Sequence, residues 1–290
     1  MANEFRTIDT WAILSPIEQR IKQKIELIGT PLKEWKIAIN YGIKTGFNDA
    51  FIITGKERAE LIKLDPKSDE IIRPILRGRD IKRYSHQFAD LWLIATFPSL
   101  KLNIDDYPSV KQHLLSFGYD RLKQTGEAGA RKKTNNQWFE TQDSISYWDD
   151  FSKQKIIWIE LTDHANFCMD TEGYYLNNTV FFLIGDRLPY ILSFLNSKLC
   201  EWYFGKIAAT SGVGTRRWIK QYIEQICIPP SPSIRDEKVL RELVIEIQKR
   251  KKKGLDVSDL ENQVDGVIFS LFNLSPDEVN FICHFDLVEA

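Results

Sequence analysis

The 290-residue sequence lacks most of the features by which an enzyme is identified. Its four histidines, His86, His113, His164 and His284, have no partner at metal-ligand spacing, and neither Cys-x-x-Cys nor His-Glu-x-x-His occurs. No Gly-x-Ser-x-Gly elbow is present; a Ser-His-Asp triad stays open only because its members can be distant in sequence. The two glycine loops, Gly42 to Gly46 and Gly212 to Gly214, match neither a phosphate loop nor a dinucleotide fingerprint. Long apolar runs are also missing. The longest, Val180 to Gly185, is far below the roughly 20 residues that cross a bilayer, so no membrane span is expected. Met1 to Thr10 carries Glu4, Arg6 and Asp9 and has no apolar core before a cleavage site, which excludes a signal peptide and predicts a cytoplasmic protein. The four cysteines, Cys168, Cys200, Cys227 and Cys283, are far apart among apolar neighbours, as reduced buried thiols are.

Net charge is the next thing in short supply. Lys and Arg number 39 against 40 Asp and Glu, a formal charge of -1. The sum hides a strong asymmetry. From Gly254 onward there is no Lys or Arg and there are eight acids, so residues 1 to 253 carry +7. Arg121 to Glu140 holds five bases and two acids, and Gly205 to Gln225 four and one. A third cluster, Lys249 to Lys253, ends a helical segment, Asp236 to Gln248, where basic residues complement the helix dipole.

Periodicity then gives the organisation. Ile13, Ile17, Ile21, Ile25 and Ile28 predict an amphipathic helix starting at Ser15-Pro16. Trp35 to Thr54 reads as a strand, a glycine turn and a strand, and Arg58 to Leu64 as a short helix. Ile71 to Ile75 leads into a charged turn, Leu76 to Ile81, before the strand Leu91 to Thr96. Tyr107 to Leu122 reads as one helix, and Leu188 to Phe204 as another. Further strands fall at Lys155 to Leu161 and Val180 to Ile184, with Cys168 to Tyr175 as a turn and Leu176 to Asn178 as a short strand. Ile226 to Pro232 is a last strand closed by a proline-rich linker, followed by helices over Asp236 to Lys253, Asp256 to Phe272 and from Ser275. The expected division is a lead-in helix over 1–34, a body over 35–230 and a helical tail over 231–290.

A nuclease centre would need clustered carboxylates. Asp149, Asp150 and Glu160 are the candidates, but Thr162 stands where a lysine would follow the strand glutamate, so solvated turn acids are the better reading. The two basic loops are better suited to binding. Thr125 to Asn136 is a long polar loop without periodicity. Phosphates are met by Lys, Arg and backbone N–H groups, and base edges by Arg, Asn, Gln or Lys. Arg131, Lys132, Lys133, Asn135, Asn136 and Gln137 supply one such set, and Thr215, Arg216, Arg217 and Lys220 the other. Lys44 and Thr45 either shape their turn or meet a phosphate. Arg77 and Arg79 either touch DNA or form an internal ion-pair turn with Asp80, and Trp138 and Trp218 suit core anchors of their loops. Arg216 and Arg217 are the foremost expected DNA contacts, so reversing both charges should abolish binding and spare stability.

The order of segments resembles the TaqI-like C-terminal specificity domain, the target-recognition domain of restriction-modification enzymes, and is similar to the recognition domains of type I specificity subunits. The blocks that carry the resemblance are Tyr41 to Phe51, Pro74 to Ile81, Lys153 to Ile157, Tyr174 to Asn178, Leu195 to Leu199 and Trp218 to Pro230. Their shared order from Trp35 to Pro230 is more specific than any block alone, and Leu260 to Ile282 looks like the helical tail that follows such domains. The resemblance implies an α+β fold: a mixed, partly closed, twisted β-sheet with flanking helices and a C-terminal helical tail. It also implies sequence-specific binding of double-stranded DNA on behalf of an adenine-N6 methyltransferase or endonuclease.

The family's catalytic portion carries an Asn-Pro-Pro-Tyr motif and a glycine-rich S-adenosylmethionine loop, and neither occurs here; the one Pro-Pro, Pro229-Pro230, follows Ile228. The chain by itself is therefore expected to be no enzyme and to hold no cofactor. S-adenosylmethionine and Mg²⁺ belong to a catalytic portion present in cis or as a separate subunit, and the abrupt start favours a fragment of a larger enzyme. The alternative is a protein-interaction scaffold or separate specificity subunit in which the acidic tail and the helix Asp236 to Lys253 dock a catalytic subunit.

Overall fold

The computed structural model describes residues 14–208 and 216–285, so Thr215 and the glycines of the second loop lie outside the described residues. The chain forms two compact units. One comprises Ala38–Glu160 and Asn166–Leu188; the other comprises the described residues up to Ile37, Leu161–Ala165 and those from Pro189 onward. The expected body, 35–230, contributes to both.

The first unit holds two four-stranded open sheets. In one, the strand Lys155–Ile159 lies between Phe167–Asp170 and Val180–Gly185, antiparallel to both, with Ile37–Tyr41 outside Val180–Gly185. In the other, Ile72–Leu76 pairs in parallel with Tyr175–Leu176 and antiparallel with Leu91–Ile94, whose far edge takes Ile52–Thr54. The expected α+β class and mixed sheet are both seen. A single apolar cluster that includes Phe51, Ile75, Leu93, Val110, Phe151, Ile157 and Phe182 fills the unit. Thr54 and Glu57 form a capping box that starts the helix Gly55–Leu64.

Several boundaries differ from the sequence reading. The Tyr107 to Leu122 segment splits into Pro108–Leu115 and Tyr119–Leu122, because Gly118 takes φ 92° between them. Cys168, expected in a turn, lies within the strand Phe167–Asp170. The turn comes after it, at Gly173 with φ 80°.

That turn is tied to the first sheet by a fully buried ion pair. Lys155 and Asp170 are direct cross-strand partners, and Lys155 Nζ sits 2.5 Å from Asp170 Oδ2. Lys155 also donates to the Phe151 carbonyl. Asp170 accepts from the backbone N–H groups of Glu172 (2.8 Å), Gly173 (3.2 Å) and Tyr174 (3.0 Å). Burial lowers the Lys155 pKa, with the Asp170 carboxylate acting against it.

The second unit is mostly helical. Ser15 and Glu18 cap the helix Pro16–Ile28 reciprocally, as the Ser15-Pro16 signal predicts. Leu188 to Phe204 is two helices, Leu188–Leu195 and Lys198–Ile207, because the Ser197 side chain caps the second one. Thr30–Pro31 pairs with Cys227–Ile228. The tail helices Ile234–Lys252, Ser258–Leu271 and Pro276–Cys283 pack back on the unit: Phe272 meets Phe194, and Asp265 accepts from the Lys198 N–H at 2.9 Å. Glu278, buried, is held by Lys24 Nζ at 2.6 Å.

Removing one partner of a buried pair leaves an uncompensated charge, so Lys155→Met should cost about 3–5 kcal/mol. Urea denaturation checks this: the midpoint should fall with the slope unchanged, and a loss under about 1 kcal/mol would refute the role given to the pair.

Candidate nucleic-acid interface

Three turns of the first unit meet through backbone hydrogen bonds. Ile43 N–H donates to the Leu176 carbonyl at 2.7 Å, and Asn177 N–H to the Leu76 carbonyl at 3.0 Å. The approach is close enough to require glycine at 42 and leaves little room for a side chain at 78. A Cβ on Gly42 would lie 2.0 Å from the Asn177 carbonyl oxygen, and one on Gly78 would lie 2.8 Å from Thr179 Oγ1. Residues Gly42–Gly46, Leu76–Asp80 and Asn177–Thr179 are thereby brought together although they are remote in sequence.

The polar loop joins them through Arg131. Its guanidinium is buried, 4% exposed, and donates to four backbone carbonyls: Leu122 and Thr45 at 2.8 Å, Glu140 at 2.8 Å and Trp138 at 2.6 Å. It also lies 5.0 Å over the Phe51 ring. Burial pushes its pKa down to about 10, with the Glu140 carboxylate opposing. Gln124, also buried, donates to the carbonyls of Gln137 and Glu140, and Asn136 Nδ2 donates to those of Thr141 (3.1 Å) and Gln142 (2.9 Å). The long polar loop, although without periodicity, is thus braced by its own buried side chains.

The sequence-derived residues sort by this geometry. Lys44, Arg79, Lys132, Lys133, Asn135 and Gln137 are exposed. Thr45 is buried; its hydroxyl donates to Asn48 Oδ1 at 2.7 Å and accepts from the Phe47 N–H, so it shapes the turn. Arg77 forms a fork with Asp80, Nε to Oδ2 at 3.0 Å and Nη2 to Oδ1 at 2.9 Å, the internal ion-pair turn. Hydrogen bonding to Asp80 raises the Arg77 pKa. Asp150 is held by Lys153 (2.7 Å) and by Asn40 (3.2 Å).

Sequence reasoning passed over two features here. Asn178 and Thr179 are exposed in the turn against which Gly42 and Gly78 pack; their signal was the Asn-Asn-Thr turn chemistry after Leu176. Asp143, half-buried, interacts electrostatically with Lys44 and Lys132, and burial raises its pKa against those two cations and the Lys44 amide. No local pattern marks it.

The second basic segment lies in the other unit. Arg217 and Lys220 are exposed there, Lys220 3.6 Å from Glu224. Arg216 is 5% exposed: Nη1 donates to the Glu201 carbonyl at 3.0 Å, and a Cβ on Gly205 would lie 2.6 Å from Nη2. The expectation that Arg216 and Arg217 act alike is corrected by this burial. Trp218 is fully buried, stacked on Phe204 at 3.7 Å, and donates to the Thr162 carbonyl.

Two substitutions at neighbouring bases separate support from contact. Arg131→Ala orphans four carbonyls and should cost about 3 kcal/mol, with faster hydrogen exchange through 123–140, whereas Lys132→Ala should stay within about 0.5 kcal/mol. Likewise Arg216→Glu should lower Tm and Arg217→Glu should not. Equal melting temperatures within either pair would contradict these assignments.

Among known proteins, the chain is similar to the type II methyltransferase M.MjaIV of Methanocaldococcus jannaschii, 22% identical over 285 residues, which covers 93% of this chain and 92% of that protein. Its fold is shared by the type IIL restriction-modification enzyme MmeI, solved in complex with DNA, at TM-score 0.56 and 12% identity over 88% of this chain. The type IIG restriction endonuclease BpuSI matches at TM-score 0.55 and 16% identity over 92% of it. The chain spans about a third of each solved enzyme, 35% and 32% respectively. Among the described residues no helix is long and apolar enough to cross a membrane. The family model for the TaqI-like C-terminal specificity domain matches residues 73–228, more than half of the chain, and the protein belongs to that family.

Proposed function

We propose that this chain reads a specific sequence in double-stranded DNA and so positions an adenine-N6 methyltransferase or nuclease centre that lies outside it. The observation that carries the reading is that exposed Lys44, Arg79, Lys132, Lys133, Asn135 and Gln137 stand on segments tied to one another by hydrogen bonds from Arg131, Ile43 and Asn177. The cations meet phosphates and set the register. The amides of Asn135 and Gln137 are of the type that pairs bidentately with adenine in the major groove. Thr45, Arg77, Arg131 and Asn136 act as positioning residues in this reading; in the second unit, taken by itself, Arg216 braces the segment that exposes Arg217 and Lys220, side chains of the phosphate-contacting type. Residues 35–230 carry recognition and 231–290 form the tail. S-adenosylmethionine and Mg²⁺ belong to the catalytic portion, and the protein works in the cytoplasm.

One observation supports a docking role for the tail as well. The helix Ile234–Lys252 leaves Ile234 91% and Ile245 52% exposed, on a face shared with Lys238, Arg241 and Glu242. Because the tail also covers Phe194, deleting it would damage the unit itself. The cleaner variant is Ile234→Lys with Ile245→Lys, which should leave DNA affinity unchanged.

Duplex binding should weaken with salt along a log–log line. Lys132→Gln with Lys133→Gln should flatten the slope by about 0.9 for each phosphate no longer neutralised. Salt-insensitive binding, or a slope unmoved by both substitutions, would refute the proposed role of these lysines.

A further inference from the structure

Asp143 is an acid set among bases on the proposed binding surface. Its position is fixed from two sides: its N–H and that of Gln142 donate to the Lys44 carbonyl, at 3.3 and 3.1 Å, and its own carbonyl accepts from Thr141 Oγ1 at 2.9 Å. The Gln142 carbonyl beside it accepts from Asn136 of the braced loop at 2.9 Å. The half-buried carboxylate lies within electrostatic range of Lys44 and Lys132 and accepts from the Lys44 N–H.

A surface built only to hold phosphates gains nothing from such a group. The carboxylate repels a phosphate and cancels part of the attraction of both lysines. What it offers is a group that only accepts hydrogen bonds, with lone pairs left beyond the one that takes the Lys44 N–H, in the field of two cations. In the major groove the matching donors are exocyclic amino groups, N4 of cytosine and N6 of adenine, while guanine and thymine present only acceptors at the corresponding positions. Cations flanking an acceptor also match the groove itself, where base edges lie between two phosphate strands.

We infer that Asp143 is a specificity-determining residue whose carboxylate accepts a hydrogen bond from the exocyclic amino group of one base in the recognised duplex, cytosine N4 or adenine N6. The inference rests on the DNA-reading function proposed above. A base contact of this kind discriminates by about 1–3 kcal/mol, roughly 5- to 150-fold.

The test selects bound sites from a randomised duplex pool with the full chain, as wild type and as Asp143→Ala and Asp143→Asn, with Tm measured for each. The wild type should favour cytosine or adenine at one position by that factor, and which base it enriches identifies the amine. Asp143→Ala should lose the preference there and keep it elsewhere. Replacing that base by an analogue without the amino group should weaken the wild type by the same factor and leave Asp143→Ala unchanged. An unaltered preference in both variants overturns the inference. So does an even loss at all positions accompanied by a lower Tm in the isosteric Asp143→Asn, which would make the residue structural. Absence of any selection by the wild type would overturn the DNA-reading function itself, and this inference with it.

Discussion

The burial of one arginine is the constraint on which the proposed surface depends. Arg131 stands first in a run of three bases, yet its guanidinium is turned inward and directs its donors to the carbonyls of Leu122, Thr45, Trp138 and Glu140. Those carbonyls belong to three separate stretches of chain. A fork of fixed N–H directions can join three stretches where an ammonium, a point charge on a flexible stem, would not. The desolvation that lowers the Arg131 pKa is offset by the hydrogen bonds, and leaving the carbonyls without a partner would cost more than keeping the cation.

From that anchor the surface follows in steps. The Thr45 carbonyl ties the Gly42–Gly46 turn to the polar loop, and Asn177 ties the same turn to Leu76–Asp80. Glycine at 42 lets the backbones close to contact distance, and glycine at 78 leaves room for the Thr179 side chain. Lys44, Arg79, Lys132 and Lys133 then stand exposed on hydrogen-bonded segments, which in the proposed function reduces the ordering cost of binding. Membership of the specificity-domain family and the fold shared with MmeI and BpuSI give this arrangement its context.

Much of the fold was legible in the sequence. The helix at Ser15-Pro16, the strands around Lys155 and Val180, and the three tail helices stand close to where periodicity and capping residues put them. The failures have specific causes. Apolar periodicity runs unbroken through Gly118 and through Asn196-Ser197, so each helix pair reads as one until backbone angle and cap are known. Composition located the basic loop correctly but could not say which of Arg131, Lys132 and Lys133 faces inward, because that depends on carbonyls supplied from elsewhere. The same limit applies to Arg216 beside Arg217, where the Glu201 carbonyl and the room left by Gly205 bury the first and not the second. Lys155 and Asp170 pair across a register that neither local sequence records.

Hydrogen exchange of the full chain with and without a bound duplex tests the central claim most directly. Slowed exchange should appear at 42–46, 76–80, 123–137 and 177–179 together, since these segments form one surface braced through Arg131 and Asn177. Protection confined to 234–285, with those four segments unchanged, would contradict it.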